Sequence, residues 1–354
     1  MSKVALVALA RPTFDLTCAQ SNFESARELL NDLGAEIVGP SELIMTPEDV
    51  AKAVVPSASL NILFMASFSD ASPAVELLSK VPGPVLLWSM REPGEVGERL
   101  KLNSMCGANL AAHALVSAGQ TVRHLHGNAN EESVRTNLSA ALKGKLPDDT
   151  APSSISGPLG DEAETKKALF KLSGKKIGTI GEAPNGFTPC TFDGAKLKQI
   201  FGLNILPISI ANAFEKIANV PQERAVAAHE SSVKAQPSRA QVNEEQSIKV
   251  GGVEVALDEW TKENSLDAIA VRCWPEFPTD LGACVCSALG RISDRGIATT
   301  CERDVLGAVT MLLCEVLGSD ENYLVDIVDI NSEDRKSTRL NSSHIPLSRM
   351  PSSA

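Results

Sequence analysis

The stretch 266–317 most constrains what this chain can fold into. Residues 266–271, LDAIAV, are a short apolar run and predict a buried strand. Pro275 stops its continuation, because proline donates nothing to a ladder. Leu281, Cys284, Val285, Ala288, Leu289 and Ile292 then recur at helical spacing, and Gly296 closes the connection. Residues 297–300 predict a second short strand. Val305, Ala308, Val309, Leu312, Leu313, Val316 and Leu317 share one face of a second helix. Strand, helix, strand, helix is the unit of a parallel sheet.

Ligands of open parallel sheets bind outside the carboxyl ends of the strands. The first strand delivers Glu276 to that edge, and the second delivers Glu302 and Asp304. Carboxylates that converge repel, so they need a cation or a shared proton. Oxygen donors favour Mg²⁺ or Mn²⁺. These three acids are the candidate metal ligands and catalytic groups. Read one at a time, Asp304 also suits a helix N-cap, and Glu276 and Glu302 also suit solvated loops.

Composition narrows the partners. A formal net charge of −11 argues against a nucleic-acid binder, which shows a basic face. With aromatics at 4%, base-stacking platforms are not expected. No apolar run reaches the roughly 18 residues of a membrane span. The N-terminal MSKVALVALA reads as a first strand, not a signal peptide. The 8 cysteines sit mostly in apolar patterns, as in Cys106, Cys284 and Cys314, and read as reduced residues of a cytoplasmic protein. A zinc site from Cys273, Cys284, Cys286 and Cys301 is disfavoured, because Cys284 and Cys286 are two apart on a predicted helix and point to different faces.

The first domain is expected at 1–150. Its strands fall at 4–9, 36–38, 60–66, 84–88 and 121–125, with helices between. Arg11 ends the first strand, where a guanidinium suits an oxyanion or a sugar hydroxyl, or else pairs with Asp15. Ser21-x-x-Glu24 resembles a capping box that opens a helix ended by Gly34. His113 reads as a packed or surface histidine. The His124-x-His126 pair lacks a third metal ligand nearby in sequence. No G-x-G-x-x-G and no P-loop follows the first strand, so no dinucleotide or ATP is indicated.

Residues 145–161 are rich in Pro, Ser, Gly and Asp and mark a linker, placed at 151–170. The second domain, 171–334, opens with a strand at 176–180. That strand ends in a Gly/Pro/Asn loop whose Asn185 can approach a ligand. A strand at 203–207, helices at 210–217 and 222–245, a short strand or turn with more helix at 249–261, and a last strand at 323–328 complete it. The fold class expected is α/β, with two doubly wound, Rossmann-like domains and mainly parallel sheets. After residue 334 the texture changes. Residues 335–354 are Ser-rich and basic without periodicity, and resemble a translated sequencing-adapter read-through, so no role is assigned to His344.

Two motifs carry a resemblance. Arg272-Cys273-Trp274-Pro275-Glu276 and Cys301-Glu302-Arg303-Asp304-Val305-Leu306-Gly307-Ala308-Val309-Thr310-Met311 resemble the L-fucose/L-arabinose isomerase superfamily, and Arg11-Pro12-Thr13-Phe14-Asp15 resembles its N-terminal motif. The resemblance implies two α/β domains followed by a C-terminal β domain, trimers or hexamers, and Mn²⁺-dependent aldose–ketose isomerisation through an enediolate. It places the two acidic metal ligands on Glu276 and on either Glu302 or Asp304, with Arg11, Trp274 and Asn185 toward the sugar. It also implies a histidine ligand from the C-terminal β domain, which is missing here, so this chain is expected to bind metal weakly and to be inactive. Two other classes fit the same residues. One is a non-catalytic sugar-binding protein. The other is a metal-dependent lyase or decarboxylase acting on sugar acids.

Overall fold

A computed structural model describes residues 2–94, 99–147, 160–238, 242–319, 322–331 and 336–340. Residues 151–159 of the expected linker, and the tail from 341 with His344, lie outside the described residues. The chain divides into two compact units. The first takes the described residues of 1–155 with 185–189 and 326–340, and the second those of 156–184 and 190–325.

The first unit is built on five parallel strands: β1 (Ser2–Leu9), β2 (Ala35–Val38), β3 (Leu60–Met65), β4 (Val85–Ser89) and β5 (Val122–His126), in the order β2-β1-β3-β4-β5. Every residue of β3 and β4 is buried, as a sheet covered on both faces requires. On one face Phe23, Leu30, Phe64, Trp88 and Leu138 pack together, with α1 (Leu16–Asp32) and α5 (Glu132–Ala141) as cover. On the other, Leu9, Leu63, Leu87, Ala111 and Leu115 pack under α2 (Pro47–Lys52), α3 (Ser72–Leu78) and α4 (Ser104–Ser117).

The second unit repeats the plan with β6 (Lys176–Ile180), β7 (Asn204–Ile208), β8 (Ala268–Val271) and β9 (Ala298–Thr300), parallel, in the order β7-β6-β8-β9. Ile180, Trp260, Val271, Phe277 and Ile292 fill one face, under α8 (Ile210–Ala218), α10 (Glu244–Asn264) and α11 (Cys286–Ser293). Leu172, Ile177, Ala270, Val305 and Leu312 fill the other, under α6 (Glu162–Leu172), α7 (Gly194–Phe201) and α12 (Val305–Val316). A further helix, α9 (Gln222–Ala235), packs on α10. Both units are therefore doubly wound α/β sheets, as expected. No helix among the described residues is long and apolar enough to cross a membrane.

Several local expectations are corrected. α1 opens at Leu16, not at Ser21, because Asp15 caps it by accepting from the Cys18 N–H at 2.9 Å. The helix expected across 222–245 breaks after Ala235, with Pro237 two residues on, and restarts where the Asn243 side chain accepts from the Gln246 N–H at 3.0 Å. α10 then runs through 249–261 without a break, where a short strand or turn was expected to precede more helix. α11 begins at Cys286 and not at Leu281. The residues Phe277–Leu281 form one wide turn, and Gly282 at φ +75° ends it.

The strand expected at 323–328 is β10, which runs over Asp326–Asn331. It pairs antiparallel with β11 (Lys336–Leu340), so part of the foreign-looking tail is paired. Asp329 on β10 accepts from His126 Nε2 at 2.7 Å, Arg91 Nη1 at 3.2 Å and the Glu92 N–H at 3.1 Å. The expected His124-x-His126 pair is joined by a hydroxyl. Ser89 Oγ lies 2.7 Å from His124 Nε2 and 2.9 Å from His126 Nδ1.

Two stability predictions follow from this packing. A Cβ on Gly251 would lie 2.3 Å from the Ala225 carbonyl oxygen, whereas one on Gly252 would meet only Ala225 Cβ at 3.7 Å. Gly251→Ala is expected to cost about 1–3 kcal/mol, read as a lower urea midpoint. Gly252→Ala is expected to be neutral or to stabilise by up to about 1 kcal/mol. The second prediction concerns acid. Burial alone would raise the Asp329 carboxyl, but its hydrogen bond from His126 and those from the Ile330 and Glu92 N–H groups hold it below its usual 3.8. A depressed carboxylate contributes stability that is complete above 3.8 and is lost as pH falls through the lower folded value. Asp329→Asn should therefore lower the urea midpoint more at about pH 6 than in strong acid at about pH 2, where the two proteins converge.

Candidate functional site

In the second unit, β6 is flanked by β7 on one side and β8 on the other, so the chain reverses its winding between β6 and β8. A crevice for ligands opens outside the strand ends at such a point. The residues delivered there are Gly181 and Glu182 after β6, Arg272, Cys273 and Trp274 after β8, and Cys301, Glu302, Arg303 and Asp304 after β9.

Backbone bonds stitch these loops together. The Arg272 N–H donates to the Ile180 carbonyl and the Arg303 N–H to the Val271 carbonyl, each at 3.0 Å. Gly181, at φ +69°, leaves room for the Arg272 side chain, since a Cβ there would meet Arg272 Cδ at 3.0 Å. Arg272 lies across the crevice. Its Nε donates to Glu276 Oε2 at 2.7 Å, and its Nη1 donates to the Glu182 and Ala183 carbonyls at 3.2 and 3.3 Å.

The loop after β9 is strained. Glu302 and Arg303 stand in the left-handed region at φ +58° and +57°. A non-glycine residue held there costs roughly 1 kcal/mol or more, and such strain gathers at functional sites. The double left-handed turn brings the Glu302 N–H to 3.3 Å from Cys273 Sγ. Cys273, Cys301 and Glu302 then form a group whose ligating atoms all lie within 4.8 Å of one another. Asp304 caps α12 by accepting from the Gly307 N–H at 2.8 Å, the alternative its sequence position allowed. Burial pushes its carboxyl up, against the Gly307 and Leu306 N–H groups. The thiol of Cys284 is also pushed up, by burial and by Cys273.

The residues expected to form the site are thus distributed as follows. Glu276, Glu302, Asp304 and the half-buried Trp274, which precedes a cis Pro275, all lie in the loops after β8 and β9. Glu302 alone of the three acids belongs to the group that closes within 4.8 Å. Arg11 and Asn185 belong to the first unit. Arg11 sits at the β1 end with its Nη2 3.4 Å from Asp70 Oδ2 and its guanidinium 5.3 Å from the Phe68 ring, not on Asp15. Asn185 is exposed.

Sequence reasoning passed over Cys273 and Cys301 as a pair, and Arg272 and Arg303. The signal was present, because Cys273 and Cys301 stand at matching places after consecutive parallel strands. The donor set fits a divalent ion. Carboxylate oxygens suit Mn²⁺ or Mg²⁺, while the two thiols suit a softer ion such as Zn²⁺.

No family model matches the chain. Curated relatives do. The chain is 30% identical over 337 residues to the sulfoquinovose isomerase of Alkalicoccus urumqiensis, a match that covers 94% of this chain and 71% of that protein. It is 27% identical over 336 residues to the sulfoquinovose isomerase of Priestia megaterium, covering 93% and 70%. It is 27% identical over 338 residues to that of a Clostridium species, covering 95% and 71%. With this similarity spread over both units, the chain belongs to the sulfoquinovose isomerase family of sugar isomerases.

Proposed function

We propose that this protein interconverts an aldose and its ketose, that the sugar carries a sulfonate as sulfoquinovose does, and that a divalent cation, Mn²⁺ or Mg²⁺, assists. The supporting observation is the delivery of Glu276, Glu302 and Asp304 to one edge by the neighbouring strands β8 and β9. The relatives' printed activity supplies the substrate class.

The reaction moves one proton between C1 and C2 of an open-chain sugar through an enediolate, and a second proton between the O1 and O2 oxygens. A positioned carboxylate takes the proton from one carbon and returns it to the other, and general base catalysis of this kind contributes about 10²–10⁴-fold. Glu302 is assigned that role or ligation. Its carboxylate lies within 4.8 Å of the Cys273 and Cys301 thiols in the strand-end loops. Arg272 holds Glu276 by one oxygen and fixes its orientation. Asp304 locks the loop to α12 through its cap. Trp274 offers an apolar face against a sugar ring. When bound, the cation would polarise the carbonyl and offset developing negative charge, with Glu276 and either Glu302 or Asp304 as its holders. A cytoplasmic homo-oligomer, trimer or hexamer, completes the proposal.

Sulfoquinovose incubated with the protein and Mn²⁺ in D₂O should give the ketose, with deuterium at C2 of the recovered aldose by NMR. Glu302→Gln should lower the rate at least about 100-fold; an unchanged rate would remove Glu302 from the mechanism. Asp304→Ser keeps a capping oxygen and should keep stability within about 1 kcal/mol. If it also keeps activity, Asp304 is a cap alone and Glu302 is the ligand. A second measurement concerns the ion. Glu276→Gln with Glu302→Gln should abolish Mn²⁺ binding by calorimetry. Cys273→Ser with Cys301→Ser should leave Mn²⁺ binding in place and weaken Zn²⁺ binding.

A further inference from the structure

We propose that Arg303 is the residue that holds the sulfonate of the substrate, and that Glu182 is the resident counter-ion the sulfonate displaces. This rests on the sulfonated-sugar reading above. The edge formed by the β6, β8 and β9 loops carries four acids, Glu182, Glu276, Glu302 and Asp304. An anionic sugar approaching them is repelled unless a cation on the same edge receives its charge. Arg272 and Arg303 are the cations of these strand-end loops. Arg272 is committed, because Glu276 and two main-chain carbonyls take its donors.

Arg303 is differently placed. Its guanidinium lies 4.9 Å from the Phe192 ring centroid and is mostly buried, with its side chain 14% exposed. Its Nη1 pairs with Glu182 Oε2 at 3.0 Å, yet the Glu182 side chain is 84% exposed. The cation is fixed in the protein while its partner stands in solvent. Pairs with one partner so exposed contribute little, so exchange of one anion for another meets small resistance. Arg303 Nε is buried and has no hydrogen-bond partner among the described residues. Buried donors without acceptors are rare and call for an explanation. A three-oxygen anion supplies acceptors to Nη and Nε together, which a single carboxylate oxygen on Nη1 does not.

The backbone adds an independent observation. Arg303 holds φ +57°, where glycine or asparagine is at ease and arginine is not. The strain brings a guanidinium between Glu302 and Asp304, one residue from each candidate catalytic acid. Sulfonate is a weakly basic monoanion with its charge spread over three oxygens. The weakly hydrated, planar guanidinium suits it better than an ammonium does.

The test measures binding of sulfoquinovose and of 6-deoxyglucose, the same sugar without the sulfonate, by calorimetry. Arg303→Met and Arg303→Gly are compared with wild type. Glycine accepts φ +57°, so Arg303→Gly keeps the loop conformation even if Arg303→Met perturbs it. Both variants should weaken sulfoquinovose binding at least tenfold and change 6-deoxyglucose binding less than twofold. Glu182→Gln should strengthen sulfoquinovose binding a few-fold. Equal losses on both sugars, no loss in Arg303→Gly, or no binding of sulfoquinovose by wild type overturns the proposal. Turnover separates the two readings. If wild type isomerises sulfoquinovose and Arg303→Gly keeps its KM, the anchor fails and the isomerase reading stands. If sulfoquinovose binds through Arg303 and no ketose forms, the isomerase reading fails and the anchor stands.

Discussion

The bond from the Arg303 N–H to the Val271 carbonyl, 3.0 Å long, joins the loop after β9 to the end of β8. Without it the acids after the two strands would be separate solvated loops. It forms only because Glu302 and Arg303 both turn left-handed, which folds the chain back across the neighbouring strand before Asp304 starts α12. The same turn sets the Glu302 N–H against Cys273 sulfur and brings Glu302 to both thiols. Local strain of roughly 1 kcal/mol or more per residue is thus traded for a group of donors held by two strands at once. The surrounding sheet can bear it, since Val271 and Val305 on either side are fully buried.

Charge shapes the rest of the edge. Four acids near one crevice are tolerable only with compensation, and the protein supplies two kinds. Arg272 gives compensation that does not move, through Glu276 and the carbonyls of the β6 loop. Arg303 gives compensation that can be exchanged, because the carboxylate paired with it lies in solvent. On the proposed reading this division has a chemical purpose. The fixed pair orients a catalytic carboxylate, and the exchangeable one admits a substrate anion.

Much of this plan is legible in the sequence. Short apolar runs such as 268–271 and 60–65 are buried on both faces, so their strands and the parallel winding are plain from the residue pattern. Helix boundaries are less so, because competing caps decide them. Asp15 starts α1 before the Ser21-x-x-Glu24 pattern can act, and Asn243 starts a helix that joins the two halves of 244–264. The strand-end positions of Glu276, Glu302 and Asp304 follow from the same winding rule. Their individual fates do not, because they depend on side-chain partners far apart in sequence. Arg272 takes Glu276, a helix N–H takes Asp304, and a pair of left-handed dihedrals, which no residue pattern here announces, gives Glu302 to the thiols. Arg303 was hidden for the same reason: arginine is an improbable residue for φ +57°.

The mixed donor set carries a chemical consequence. Sulfur beside oxygen lets two kinds of divalent ion compete for one edge, and intrinsic affinity rises from Mn²⁺ toward Zn²⁺ for most such sets. On the proposed reading the oxygens of Glu276 and of either Glu302 or Asp304 hold the hard ion, and the thiols of Cys273 and Cys301 beside Glu302 are where a softer ion would compete with it.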